Sequence, residues 1–140
     1  MTALECRTQL GHPGRQESLE ILATHPVSRV TIAVTGSPMV FPVHHYVVDF
    51  NTIVFPCDEF SQYVDTSNGV RMSLEAEGVD DGDPLGWYVR VNGIARDVVD
   101  PTELARLREL VGEPRDAGPE THWIQLRPET ITGRRYSSLA

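Results

Sequence analysis

Short runs of alternating apolar and polar residues dominate this chain and predict strands rather than long helices. Arg29–Thr35 places Val30, Ile32 and Val34 on one face and Arg29, Thr31 and Thr35 on the other. Gly36-Ser37-Pro38 supplies the turn that follows. Met39–Asp49 is apolar on both faces apart from His44 and His45, as expected of a barrel wall that also meets a partner or a ligand. Asp49-Phe50-Asn51 reads as a hairpin connection into a strand over Thr52–Phe55. Val70–Ala76 alternates again, and Gly86–Val99 is a long strand in which Gly93 predicts a bulge or bend. Strands over His122–Arg127 and Thr130–Thr132 close the order at Gly133-Arg134-Arg135. Between them, Pro56–Asn68 is polar and irregular, and Gly78–Asp83 is an acidic loop.

Two segments carry helical spacing instead. Leu19, Leu22 and Ala23 recur on one side of Gln16–Thr24, and Pro26 stops the run. Asp100-Pro101-Thr102-Glu103 has the capping residue, first-turn proline and third-position glutamate of a helix start. Leu104, Leu107 and Val111 mark its buried stripe, and Gly112 ends it. Six or seven strands with two helices outside them describe a mainly β, antiparallel barrel with peripheral helices. No repeat or linker divides the chain. Residues 1–15, broken by Gly11, Pro13 and Gly14, are expected to be a flexible lead-in to one domain spanning 16–140.

A chain of 140 residues buries about two-thirds of its unfolded surface and needs neither disulfides nor metals to hold a core. Its net charge of −8 argues against a nucleic-acid partner, which requires a concentrated positive field. All 12 basic residues are arginine, a usage expected of a GC-rich genome of actinobacterial type. Any bound anion must therefore be held by planar guanidinium groups or backbone amides. No apolar run reaches membrane-spanning length and Met1–Gly14 has no signal-peptide core, so a cytoplasmic location is expected, with Cys6 and Cys57 as reduced thiols.

Candidate chemistry is sparse. His12, His25, His44, His45 and His122 are scattered, and adjacent histidines on a strand point to opposite faces, so no metal site is expected. No nucleophile motif surrounds Cys57, which reads as a small strand-end residue. Asp80, Asp81 and Asp83 lack the ligand series of a calcium loop and read as a solvated turn. Trp87 and Trp123 fit either core filling or a flat wall for a planar cofactor, with Arg127, Arg134 or Arg135 near its polar end. Spacing leaves both open.

Taken in order, V-S-R-V, P-M-V-F-P-V-H-H-Y-V-V-D, T-I-V-F, G-W-Y-V-R-V-N-G, D-P-T-E-L-A-R and H-W-I-Q-L-R-P-E-T-I-T-G-R-R resemble the pyridoxamine 5′-phosphate oxidase-like family of FMN-binding proteins, from about Gln16 to Arg135. The resemblance implies a six-stranded antiparallel split β-barrel that forms a homodimer with two cofactor sites in its interface. It implies FMN as the usual cofactor, with haem or a deazaflavin in some relatives. The strand holding Phe41, Val43, His44 and His45 would run along the flavin ring. Phe55, Cys57 and the loop reaching Gln62 would hold the phosphate, and Trp87, Trp123 and Arg127 would line or close the site. No side chain is singled out as a catalytic acid or base.

The chain departs from the family where the phosphate would sit. Pro56 and Gln62 stand where the resemblance leads one to expect an arginine and a lysine or arginine, and Asp58 and Glu59 lie between them. Each lost charge-assisted contact is worth about 1.5–3 kcal/mol. Arg71 or Arg90 could compensate from elsewhere. Three readings follow: a flavin-dependent oxidoreductase in which the cofactor carries the redox chemistry, a split barrel holding haem through one of the adjacent histidines or holding a deazaflavin, and a cofactor-free dimer.

Overall fold

The alternation read from the sequence builds one antiparallel sheet. The structure, a computed structural model, describes residues 9–34, 36–58, 69–79, 86–113 and 121–136. Eight strands occur among these residues: β1 (Gln9–Gly11), β2 (Val27–Val34), β3 (Ser37–His44), β4 (Tyr46–Val48), β5 (Thr52–Cys57), β6 (Val70–Val79), β7 (Gly86–Asp97) and β8 (His122–Tyr136). They line up as β3-β2-β6-β7-β8-β5-β4, with β1 added to β8. The two ends of this path, β3 and β4, are separated in sequence only by His45. The sheet must therefore curl until its ends meet, which gives the split barrel.

The seven strand segments read from the sequence, against six in the resemblance, become eight through three changes. His45 breaks the expected Met39–Asp49 strand into β3 and β4. The two expected C-terminal strands are one, because Pro128 and Glu129 are accommodated within β8 rather than ending it. Gln9–Gly11, inside the expected lead-in, pair with Arg135 and Tyr136 to add β1. Residues 59–68 and 80–85, which include most of the expected irregular segment and acidic loop, lie outside the described residues, as do 1–8.

Alternate side chains fill the barrel. Val30 and Ile32 on β2, Phe41 and Val43 on β3, Met72, Leu74 and Ala76 on β6, and Trp87, Val89, Val91 and Ala95 on β7 face one interior cluster. Helix α1 (Arg15–Thr24) closes one mouth by adding Leu19, Ile21 and Leu22 to it. Burying each such side chain contributes about 1.5–3 kcal/mol. The irregularity the sequence predicts at Gly93 is there, but the bulged residue is on the facing strand. Asn92 pairs with Thr130 and Gly93 with Pro128, which leaves Glu129 as the extra residue of β8, and a Cβ at Gly93 would run into the Arg127 carbonyl.

A second, smaller cluster lies outside the barrel. Helix α2 (Pro101–Val111) starts as predicted, with the Asp100 carboxylate accepting from the Thr102 amide at 3.1 Å and Pro101 in the first turn. Its Leu107 is fully buried over Val48, Val54 and Trp123, with Leu104 and Val111 packed beside it. Glu103 turns away from the cap and binds Arg106 instead, whose guanidinium also grips both oxygens of Asp49 at 3.1 and 2.7 Å. That clamp fixes the β4–β5 hairpin tip, where Asp49 (φ 54°) and Phe50 (φ 67°) both occupy the left-handed region. No helix among the described residues is long and apolar enough to cross a membrane.

Candidate functional site

Three places on the barrel surface bring polar and aromatic chemistry together. The first runs along the outer face of β3 and β4. Val40, Pro42 and His44 point outward and are exposed, whereas Phe41, Val43 and His45 point inward and are buried. The His44 ring lies 4.9 Å from that of Tyr46, and Tyr46 lies 6.1 Å from Trp123, which α2 covers to 5% exposure. The aromatic row thus runs from an exposed imidazole to a buried indole, and His44 is its accessible end.

The second is the end of β5, where the resemblance places a phosphate. Pro56 sits opposite Trp123, and Cys57 opposite His122, in the β5–β8 register. His122 Nδ1 lies 3.3 Å from the Asp97 carboxylate. Asp58 accepts a 2.8 Å hydrogen bond from the Thr121 hydroxyl. No cation among the described residues pairs with Asp58, so this end presents a proline and a carboxylate where an anion would need donors. Glu59 and Gln62 lie outside the described residues.

The third is a groove of about 500 Å³ on the outer face of the sheet, lined by Tyr88, Arg90, Asn92, Thr132, Arg134 and Tyr136, with Glu77 at its rim. Register explains the clustering. Asn92 pairs with Thr130, Arg90 with Thr132 and Tyr88 with Arg134, so outward residues of β7 and β8 alternate across one surface. A polar web fixes the floor: Ser73 donates to Asn92 at 2.5 Å, and Asn92 donates to Thr130 at 3.2 Å. Both neighbouring carboxylates are already engaged, Glu75 by the Tyr88 hydroxyl at 2.9 Å and Glu77 by Arg29 at 3.0 Å. Partial burial, then the hydrogen bond to Glu75, pushes the Tyr88 phenol up to about 12, so it stays a donor at neutral pH. Arg134 is held by the Tyr136 phenol, which raises its already high pKa.

Arg90 and Arg134 have no carboxylate partner among the described residues. Elsewhere Arg29, Arg71, Arg106, Arg108 and Arg135 are each paired with an acid. Arg127 is likewise in no ion pair among the described residues, but Asp49, Asp97, Asp100 and Glu103 line its cleft, whereas the β7–β8 groove has only Glu77, already paired with Arg29. Two guanidinium groups left without acids in one concavity, in a chain of charge −8, therefore make this groove a suitable anion receptor.

The residues singled out from the sequence are therefore dispersed. Phe41, Val43, Phe55 and Trp87 fill the barrel interior, and Trp87 packs against His25 in a tilted arrangement with ring centroids 4.6 Å apart. His45 is buried and committed to Ser28 and the Leu22 carbonyl. Cys57 is half-buried beneath the β5 end. Arg127 is exposed on a different cleft of about 450 Å³, beside Asp49, Arg106 and Gln125 under α2. His44 and Trp123 share one aromatic row. Tyr88, Thr132 and Tyr136 carried no sequence signal, because only the β7–β8 register brings them to Arg90 and Arg134. Among the described residues no group of three histidine, cysteine or acidic side chains is arranged to hold a metal ion.

Known proteins share this sequence and architecture. The family model for pyridoxamine 5′-phosphate oxidase matches residues 14–135. An uncharacterized protein of Mycobacterium tuberculosis is 32% identical over 125 residues, covering 86% of this chain and 82% of its own. A candidate pyridoxamine 5′-phosphate oxidase of Corynebacterium glutamicum superposes with a TM-score of 0.80 at 24% identity, covering 95% of this chain and 97% of its own. An FAD-binding protein of Mycobacterium smegmatis superposes with a TM-score of 0.76 at 27% identity, covering 91% of this chain and 98% of its own. The match across nearly the whole domain, joined to the split barrel, places this chain in the pyridoxamine 5′-phosphate oxidase-like family.

Proposed function

We propose that this protein is a homodimeric flavin-binding split barrel, using FMN or FAD, with flavin-linked oxidoreductase activity. The observation that carries the reading is the β7–β8 groove, whose Arg90 and Arg134 are held open for an anion and flanked by two phenols. Planar guanidinium groups suit phosphate oxygens through paired N–H donors. Tyr88 and Tyr136 offer aromatic edges to a planar ligand, the one hydroxyl proton of Tyr88 being committed to Glu75. The flavin-binding Mycobacterium smegmatis relative supports the same class of cofactor. The β5 end fits a phosphate poorly, since Pro56 lacks an N–H and Asp58 repels it. The anionic tail is therefore assigned to the groove and the flat ring to a surface that includes His44 and Tyr46, with a second protomer completing the site.

A bound flavin would accept a hydride and pass electrons onward, while the protein supplies orientation and electrostatics. Arg90 and Arg134 neutralise the tail, and the aromatic row excludes water from one side of the ring. Absorption spectra of the purified protein, with thermal unfolding in added FMN or FAD, test this. Flavin bands or a ligand-dependent rise in Tm are expected, because a ligand that binds only the folded state must stabilise it. Colourless protein that neither flavin stabilises overturns it and leaves the cofactor-free dimer, which Pro56 and Asp58 favour. If haem were taken instead, His44 is the available ligand of the adjacent pair, and His44→Ala would abolish the Soret band where His45→Ala would not.

A further inference from the structure

Helix α1 covers one mouth of the barrel, and a single buried histidine holds its last turn. His45 is 1% exposed. Its Nε2 lies 2.8 Å from the Leu22 carbonyl oxygen, which can only accept, so Nε2 carries the proton and donates. Its Nδ1, 2.7 Å from Ser28 Oγ, is then the acceptor of the hydroxyl proton. The His45 backbone amide also donates to the Pro26 carbonyl at 2.8 Å. One residue thus ties together the C-terminal turn of α1, the connection into β2 and β2 itself, at the point where β3 breaks into β4.

A second ring proton would only reverse the Ser28 bond, with Nδ1 donating and the hydroxyl accepting, and the Leu22 bond would persist. Its cost is the charge itself, placed on a ring 1% exposed, with His44 the neighbouring titratable group and no acid hydrogen-bonded to the ring. From α1, the other titratable group at this end is His25, whose Nδ1 lies 2.9 Å from the Ile21 carbonyl. From β2, Arg29 points outward to Glu77. From β4, Tyr46 turns to His44 and Trp123.

We propose that His45 is a proton-operated latch: a proton taken up at Nδ1 puts an unpaired charge under α1, and that charge is relieved when α1 lifts from the barrel mouth and water reaches the ring, while the β6–β7–β8 sheet stays folded. Other polar ties of the helix are at its N-terminal half: Glu17 pairs with Arg135 of β8 at 3.1 Å, the Gly14 N-cap makes no side-chain capping bond, and Ser18 reaches the Pro13 carbonyl only at 3.4 Å. Burial holds the His45 ring below the ordinary histidine pKa, with the His44 charge adding to the effect and the Leu22 bond opposing it. The sign follows from linkage. The opened form takes up its proton first, near the unperturbed value of about 6.5, so opening becomes easier as pH falls below it. The latch is fully closed above that pH.

Hydrogen exchange on the full chain, corrected for the intrinsic pH dependence of exchange, reads the latch directly. Between pH 7.5 and 5, opening of residues 15–25 is expected to rise by up to about thirtyfold while β7 stays protected. In His45→Gln, which donates but cannot charge, the rise should vanish; in His25→Gln it should persist. Protection of α1 that stays flat to pH 5, or an unchanged pH dependence in His45→Gln, overturns the proposal. If that variant fails to fold, the wild-type His45 ring followed by NMR decides. Its titration must coincide with helix opening, and a ring still neutral after the helix has opened also overturns it.

Discussion

The β7–β8 ribbon is two different surfaces joined at Gly93. Before the bulge, Gly86–Asn92 pair with Thr130–Tyr136, and the outer face is polar and open, carrying Tyr88, Arg90, Arg134 and Tyr136. After it, Gly93–Asp97 pair with Ile124–Pro128, and the outer face near Trp123 and Val98 is roofed by α2. Both halves share one interior, with Val89 and Val91 on one side of the bend and Ala95, Ile124 and Leu126 on the other. Core packing therefore does not distinguish them; what covers the outer face does. On the covered side Arg106 is clamped by Asp49 and Glu103, and Arg127 opens onto a cleft that those acids and Asp97 and Asp100 also line. On the open side Arg90 and Arg134 share a groove whose one acid, Glu77, is already paired with Arg29.

The sharpest way to break this comparison is to remove the open half's charge. Arg90→Ala with Arg134→Ala should lower flavin affinity by about two to four decades, from one to two decades per charge-assisted contact. Isothermal titration or fluorescence quenching with FMN and FAD measures it. Circular dichroism should be unchanged, because neither guanidinium is paired with an acid among the described residues. Binding that survives the double substitution returns the anion to the β5 end.

The next test attacks the junction. Gly93→Ala would drive its Cβ into the Arg127 carbonyl, a backbone atom that cannot step aside without shifting the β7–β8 register. A loss of about 3 kcal/mol or more is expected in denaturant unfolding, at the upper end of overpacking effects. A neutral outcome would mean that the two halves are not separated by a fixed bend.

A third substitution asks whether the β5 end can be restored. Pro56→Arg combined with Asp58→Asn puts a cation where the resemblance expects one and removes the opposing charge. Flavin affinity should rise by roughly one decade, the lower end of a single phosphate contact. No gain would show that the ligand's anionic end does not reach β5 at all.

These expectations also mark what the sequence could say. Strand alternation and the Asp100 cap are local, because each depends on residues within a few positions of one another. Helix α1 and the interior faces of β2, β6 and β7 were legible for the same reason. The groove was not, since Tyr88 meets Arg134 only through a pairing that spans more than 40 residues of chain. Gly93 marked the bend, but not that the extra residue, Glu129, sits across from it on β8. The resemblance pointed to the strand of Phe41 and Val43, but those side chains face the interior, and of that strand's named residues only His44 lies on the accessible outer face. His45 read as a ligand candidate because its type is common in sites; its burial against Ser28 and Leu22 could not be inferred from a run of two histidines.

The smallest expected effect concerns the hairpin tip that α2 pins on the covered side. Phe50 holds φ at 67° while remaining 79% exposed, so it pays a left-handed penalty with almost no burial in return. Such a conformation costs a residue with a Cβ about 1–2 kcal/mol. Glycine removes that cost but gives back about 0.5–1 kcal/mol through the greater freedom of the unfolded chain. Phe50→Gly should therefore stabilise the free protein by up to about 1 kcal/mol, seen as a Tm higher by a few degrees. Asp49 keeps its grip on Arg106 in that variant, so the hairpin stays in place. If the substitution instead destabilises the protein only at concentrations where it self-associates, the exposed ring is buried in the dimer. The covered half would then contribute to assembly while the open half binds the ligand.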